Sequence, residues 1–391
     1  MKILITGGAG FIGSHVADAL IKQGHSVRLY DNLTPQVHAE IPEYLNEEAE
    51  FVKGDIRNRD ELAKAIKDVE VIFHEAAAVG VAQSMYQIHK YTDVNALGTA
   101  NLLDILANEK HRVQKLIVAA SMSEYGEGAY RCETCGIVYP KQRKVEPLQQ
   151  RQWEMFCPNC SNQTFSFPKR KSLIKKKRKG IYSTFVQPVA TNENKPLQPT
   201  SIYAISKQIQ EQMCLCAGEA YNIPVVALRY FNVYGTRQSL NNPYTGVMAI
   251  FSSRILNNNP PLIFEDGLQT RDFVHINDIV QANLLAMNSD KANGQIFNVG
   301  TGKAVTILEI AELLLSAMQS NLKPEIVNKF RVGDIRHCVA DISKIRETLG
   351  FEPKVSLNDG VKELVEWVKE QAAVDEFEKA SRELQERRLT I

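Results

Sequence analysis

The sequence lacks a long apolar run. Nowhere in its 391 residues does a stretch approach the ~20 apolar positions that a membrane-spanning helix requires. No membrane partner is therefore expected. It also lacks an excess of either charge: 46 Lys and Arg against 45 Asp and Glu leave a formal net charge of +1. That balance excludes a chain held to nucleic acid by its global charge. Internal repeats are missing too, which excludes a solenoid. The opening residues are no secretory leader, because Ile3-Leu4-Ile5 is a strand-length apolar run that passes straight into glycines. A cytoplasmic location is the resulting expectation. The seven cysteines do not read as a disulfide framework either. Four of them fall into two C-x2-C units, Cys132/Cys135 and Cys157/Cys160, a spacing that suits metal in a reducing compartment.

What is present is alternation. Strands are expected at Lys2–Thr6, Ser26–Tyr30, Glu50–Lys53, Val69–His74 and Lys115–Ala119. Helical spacing covers Phe11–Gln23, Asp60–Lys67 and Asn95–Asn108. Strands alternating with helices predict an α/β protein with a parallel sheet covered on both faces. The pattern breaks at 127–187, a stretch rich in Cys, Pro and basic side chains. A helix resumes from Lys207, followed by a strand at Val225–Arg229 and helices near Ile279–Met287, Ile307–Gln319 and Leu357–Ala373. The charged stretch up to Ile391 has few apolar residues and reads as an exposed or frayed helix.

Gly7, Gly10 and Gly13 are spaced G-x2-G-x2-G between the first strand and the first helix. Glycines there permit a tight turn and let backbone N–H groups approach a pyrophosphate at the helix N-terminus. Asp31 lies 18 residues after Gly13 at the end of the second strand, where a carboxylate can bind both ribose hydroxyls. An acid at that place favours NAD over its 2′-phosphorylated counterpart. Asp55 ends the third strand and suits the adenine edge. Ala76-Ala77-Ala78 ends the fourth, where small side chains let a cofactor lie close. Further on, Tyr203 and Lys207 place a phenol and an ammonium one helical turn apart on a single face. A free phenol has a pKa of ~10 and needs a nearby cation to act as a base at neutral pH.

Many motifs in order carry a family resemblance: GGAGFIGSH, Tyr30-Asp31-Asn32-Leu33, Gly54-Asp55, His74-Glu75-Ala76-Ala77, Asp93-Val94-Asn95, Ser121-Met122-Ser123-Glu124-Tyr125-Gly126, Tyr203-x3-Lys207, Arg229-Tyr230-Phe231-Asn232, Arg271-Asp272-Phe273 and Gly333-Asp334. The chain resembles the extended short-chain dehydrogenase/reductases, specifically the nucleotide-sugar epimerases and dehydratases. The resemblance covers nearly everything outside 127–187. It implies a Rossmann domain made of 1–126 and 188–238 and a smaller substrate domain over 239–373 with some returning Rossmann elements. A charged helix or tail occupies 374–391. It implies that Tyr203 is the catalytic base, that Lys207 binds the nicotinamide ribose and lowers the tyrosine pKa, and that Ser121 assists. Phe11, Ile12, Asn32, Ile56, Asn95 and Tyr230 join the cofactor set. Ser84, Ser123, Asn232, Arg271, Arg331 and Asp334 would hold the sugar nucleotide, arginine suiting pyrophosphate through its planar fork of donors.

Dehydratases of this kind need an Asp-Glu pair directly after the catalytic hydroxyl residue. Here Met122 and Ser123 stand there, and neither can do that acid–base work. The implied activity is therefore NAD-dependent 4-epimerisation. A 4-keto-sugar reductase or a 4,6-dehydratase of the same family is the enzymatic alternative, and an NAD-binding regulatory protein the non-enzymatic one. Val79 replaces a lysine that UDP-galactose epimerases usually carry, and Cys338 falls where they often have tyrosine near the sugar. The Cys-bearing insert and the stretch around Ser84 and Tyr86 look most like dTDP-L-rhamnose 4-epimerases.

Within 127–187, Cys132, Cys135, Cys157 and Cys160 fit a closed tetrahedral structural zinc, a zinc-ribbon-like insert. Cys214 and Cys216 read as helix residues without a ligand role. The insert carries 13 Lys and Arg against 4 Asp and Glu, eight of the basic residues between Lys169 and Lys179. A solvated loop, a subunit contact or a lid drawing in dianionic sugar nucleotides is expected there rather than a nucleic-acid arm. Helices 95–108 and 207–221 match those that pair in the dimers of relatives, so a homodimer is implied.

Overall fold

The computed structural model describes residues 1–38, 40–160 and 185–391. Its centre is a seven-stranded parallel sheet. From one edge to the other the strands are Gln295–Val299, Val225–Tyr230, Lys115–Ser121, Val71–His74, Lys2–Thr6, Ser26–Asp31 and Glu50–Lys53. Side chains alternate across each strand, and both faces are buried: Ile3 and Ile5 join one apolar cluster while Leu4 joins the other. Chain order runs outward in one direction from Lys2–Thr6 to Glu50–Lys53. It then reverses, placing Val71–His74 on the opposite side of the first strand. A reversal of this kind opens a crevice above the carboxyl ends of the strands.

A third apolar cluster lies in the C-terminal half, where helices Val247–Leu256, Ile307–Ala317 and Leu357–Lys369 pack together. The insert is a small antiparallel sheet of Ala129–Cys132, Gly136–Val138 and Gln187–Val189 with its own cluster around Tyr130, Met155 and three of the cysteines. The basic run 169–179 lies outside the described residues.

Three local features depart from the simple pattern. The expected helix Asn95–Asn108 starts earlier as a π-helical turn, Thr92–Leu97, before the α-helix Gly98–Asn108. The extra residue per turn lets Asn95 reach sideways rather than along the helix. The helix bearing Tyr203 begins at Ile202 rather than Lys207, because the Ser201 hydroxyl caps it by accepting from the Ala204 amide at 3.1 Å. Finally, the helical pattern after Leu357 stops at Lys369. A separate helix, Phe377–Glu386, turns back onto the protein and buries Ala380 and Leu384.

Candidate active site

A cleft of about 630 Å³ opens above the sheet and extends into the C-terminal half. At its floor the glycine turn makes a cradle that side chains would fill. Gly7 adopts φ +71°, and its N–H donates to the Tyr30 carbonyl at 2.8 Å. A Cβ on Gly13 would sit 2.4 Å from the Gly7 oxygen, so only glycine allows the helix Phe11–Lys22 to start this close to the turn. Asp31 stands at the rim with its carboxylate fixed by the Ala9 and Leu33 amides at 3.1 and 2.9 Å. Asn32, Ile56 and Ala76–Ala78 line the same arm. Asp55 lines it as well, but its carboxylate is engaged by Arg57 at 2.7 Å and Asn32 at 2.9 Å, and the Arg57 hydrogen bond holds it down at about 2.

Tyr203, Ser121 and Lys207 converge where the two arms meet. Burial pushes the Tyr203 phenol up to about 12, with the Ser121 hydroxyl opposing part of that rise. Desolvation is the largest influence on the phenol, and Glu124 adds to it. Lys207 is itself 2% exposed, its ammonium pKa is lowered by burial, and it donates to Gln210 Oε1. The carboxyls of Glu124, Glu75 and Glu211 support its charge. A chain of polar groups runs on from Gln210 through Thr99 and His74 to Thr6.

Two expected site residues lie behind the wall instead of on it. Ser84 is fully buried; its hydroxyl donates to the Val81 carbonyl at 2.6 Å and accepts the Tyr203 amide at 3.0 Å. Asn95 is also fully buried, bonding both backbone groups of Ala78 at 2.7 and 3.1 Å and the Ser206 hydroxyl at 2.9 Å. Each positions the lining rather than forming it. Cys338, placed near the sugar from the sequence, is buried beside Thr191 and does not face the cleft.

Tyr230 does line the cleft and donates to Glu75 at 2.8 Å. Glu75 and Glu124 stand inside the motifs quoted above, yet their sequence context assigned them no role. Burial pushes Glu75 up to about 7. It also raises Glu124 to about 8, helped by the neighbouring Glu211. Glu124 accepts the Ser121 amide at 2.9 Å, closing a capping box with Ser121 whose S-x-x-E spacing was readable in the chain. Ser123 donates to the Ser121 hydroxyl at 2.8 Å.

The far arm holds Asn232, Arg271, Arg331 and Asp334. Among the described residues, the Asn232 Oδ1 is buried with no hydrogen-bond partner. Arg271 is braced by the carbonyls of Thr270, Ile335 and Arg336. Arg331 pairs with Asp334 at 2.8 Å and covers the Phe264 ring. The insert grips this arm from behind: Arg143 bonds Glu265 at 2.7 Å and the Asp334 carbonyl at 3.1 Å, while the buried Arg336 binds Glu154, Glu265 and Asp266. Within the insert the sulfurs of Cys132, Cys135, Cys157 and Cys160 all lie within 4.8 Å of one another.

The chain matches two family models end to end along most of its length. Residues 3–144 match the NAD dependent epimerase/dehydratase family and 183–364 match GDP-mannose 4,6 dehydratase, the interval between them falling in the insert. A dTDP-L-rhamnose 4-epimerase of Burkholderia thailandensis is 33% identical over 94% of both chains. A putative UDP-glucose 4-epimerase of Methanocaldococcus jannaschii is also 33% identical, over 94% of this chain and 98% of the relative. Among solved structures, UDP-glucose 4-epimerase of Thermotoga maritima with UDP-glucose superimposes with a TM-score of 0.72 at 31% identity, covering 94% of this chain and 99% of that one. UDP-glucuronic acid 4-epimerase of Bacillus cereus, in complex with UDP-glucuronic acid and NAD, superimposes with a TM-score of 0.73 at 28% identity, again covering 94% and 99%. With a glycine cradle, an acid on the second strand and a Tyr-x3-Lys helix at one crevice, the chain belongs to the NAD-dependent epimerase/dehydratase family.

Proposed function

We propose that this protein is an NAD-dependent nucleotide-sugar 4-epimerase, with dTDP-L-rhamnose as the lead substrate. The carrying observation is the convergence of Tyr203, Ser121 and Lys207 at the junction of the two arms, with Met122 and Ser123 where a dehydratase needs its acid and base. The residues of the cofactor arm fit NAD: Gly7, Gly10, Phe11, Ile12 and Gly13 would take the pyrophosphate and Asp31 the ribose hydroxyls. When bound, NAD supplies the acceptor for the C4 hydride, its return to the other face, and a positive nicotinamide beside the phenol.

The chain's own groups do the rest. Tyr203 takes the proton of the C4 hydroxyl, with Ser121 hydrogen-bonded to the same oxygen. Lys207 holds the ribose and keeps a positive charge under the site. Arg271 and Arg331 grip the diphosphate while the 4-keto sugar turns about that link, with Asn232 Oδ1 offering its free acceptor. Tyr203 then returns the proton to the inverted hydroxyl. Glu124 fixes the backbone of Ser121 through its amide. Incubating the pure protein with dTDP- and UDP-sugars, followed by NMR, tests this: an epimer with no net change in NAD is expected. Accumulated NADH would point to the reductase, and loss of water to the dehydratase.

The four thiolates are part of the same proposal as a structural zinc site, closed and without an open position. Metal analysis of the pure protein checks it, one zinc per chain being expected. A cytoplasmic location goes with it, since thiolates kept for metal need a reducing compartment. A homodimer through helices 95–108 and 207–221 is proposed on the exposure of Leu97 on the first and Tyr221 on the second. Light scattering should return twice the chain mass.

A further inference from the structure

The charged C-terminal stretch has few apolar residues, yet the three within its helix face the cleft. Phe377, Ala380 and Leu384 of the last helix line the far arm together with Ser381. Past the helix the chain pairs by its backbone with the segment that carries Arg331. Ile391 and Phe330 exchange both of their hydrogen bonds at 3.0 Å, the Val332 amide donates to Leu389 at 2.9 Å, and Thr390 stands opposite Arg331. On the other side of the helix, one carboxylate oxygen of Glu383 accepts from the hydroxyls of Tyr86 and Tyr244 at 2.8 and 3.0 Å. The two hydroxyl oxygens also lie 2.7 Å apart, so either proton can turn from the carboxylate to the other phenol, and Arg387 covers the Tyr86 ring. Tyr244 lines the cleft directly. Tyr86 and Tyr244 belong to loops from opposite halves of the chain, so Glu383 joins both halves of the site to the helix.

We infer that residues 377–391 form the outer wall of the substrate arm, and that Glu383 is the positioning residue that seats this wall against Tyr86 and Tyr244. The segment closes the sugar-nucleotide end and supports the backbone that holds Arg331. Affinity for the nucleotide portion of the substrate then depends on a part of the chain with no catalytic motif. The inference rests on the reading of the cleft as a sugar-nucleotide site.

The test uses the NAD-loaded full chain, a chain ending at Val374, and the point variants Glu383→Ala and Glu383→Gln. Binding of UDP and of dTDP is measured by calorimetry, with bound NAD and Tm recorded for each protein. The truncated chain and Glu383→Ala should bind nucleotide about tenfold or more weakly, the scale of losing a hydrogen bond to a charged group, with bound NAD unchanged. Glu383→Gln, which keeps an acceptor oxygen, should recover most of the loss. In turnover, KM should rise by more than kcat falls. Unchanged nucleotide affinity in an NAD-loaded truncated chain overturns the inference; if truncation prevents folding, unchanged affinity in Glu383→Ala overturns it equally. Failure of the full chain itself to bind either nucleotide would instead overturn the sugar-nucleotide reading.

Discussion

The cofactor arm of the cleft comes from successive strand ends within one contiguous stretch, residues 7–78, whereas the substrate arm is gathered from Asn232, Arg271, Arg331–Asp334 and the helix Phe377–Glu386. The first arm is built by backbone: a glycine turn, a helix N-terminus and small side chains, all dictated by local chain geometry. The second is built by long side chains held from behind, Arg271 by three carbonyls and Arg331 by Asp334. An arm made of backbone tolerates almost no substitution. One made of braced side chains can be retuned one residue at a time, which suits a family whose members share a cofactor and differ in sugar.

Tyr203 stands between the arms, so its removal should have the largest effect and spare both. Tyr203→Phe is expected to lower kcat by about 10²–10⁴-fold, the usual contribution of a positioned acid–base group, while bound NAD and nucleotide affinity persist. A comparable loss of NAD would show that the phenol belongs to the cofactor arm. Gly13→Ala should break the first arm alone. The added methyl meets the Gly7 oxygen, at a cost of about 1–3 kcal/mol for overpacking, and the purified protein should lose its bound NAD. Arg331→Ala should break the second arm alone, raising KM about tenfold through a lost charge-assisted contact, with NAD content unchanged.

Smaller effects would sharpen the contrast. Burial raises the Tyr203 pKa, so the base form grows as pH rises and turnover should climb through and above neutrality. Ser121 opposes that rise. Ser121→Ala should therefore move the climbing limb to higher pH besides slowing turnover, and a profile that stays in place would reject the hydroxyl's effect on the phenol. Cys157→Ser should empty the thiolate cluster and lower Tm by several degrees, with a mild rise in KM and no change in bound NAD. The insert reaches Asp334 and Glu265 through Arg143.

How far the chain could be read follows from the same difference. The parallel sheet, the glycine turn, Asp31 and the Tyr203/Lys207 pair are local patterns, and the structure places them together at the strand ends. Ser84 and Asn95 were assigned by resemblance to surfaces they do not reach, because a residue's motif says where it lies along the chain but not which way its side chain turns. Ser84 ends the short helix Val81–Ser84 and Asn95 lies in the π-helical turn, and both side chains turn inward, where they bond the backbone of Tyr203 and Ala78. Glu75 and Glu124 were visible as letters only. Their raised pKa values come from burial among groups far apart in sequence.

By itself the sequence determined the fold class, the glycine turn, the helix pairing Tyr203 with Lys207 and the two C-x2-C pairs, since each depends on residues a few positions apart and on backbone rules that act locally. Only the tertiary structure decided that desolvation dominates at the Tyr203 phenol, that Arg143 of the insert reaches Glu265 and Asp334, and that the charged C-terminal helix folds back onto the cleft. Those outcomes depend on which groups lose water together, and that is settled by packing between segments hundreds of residues apart.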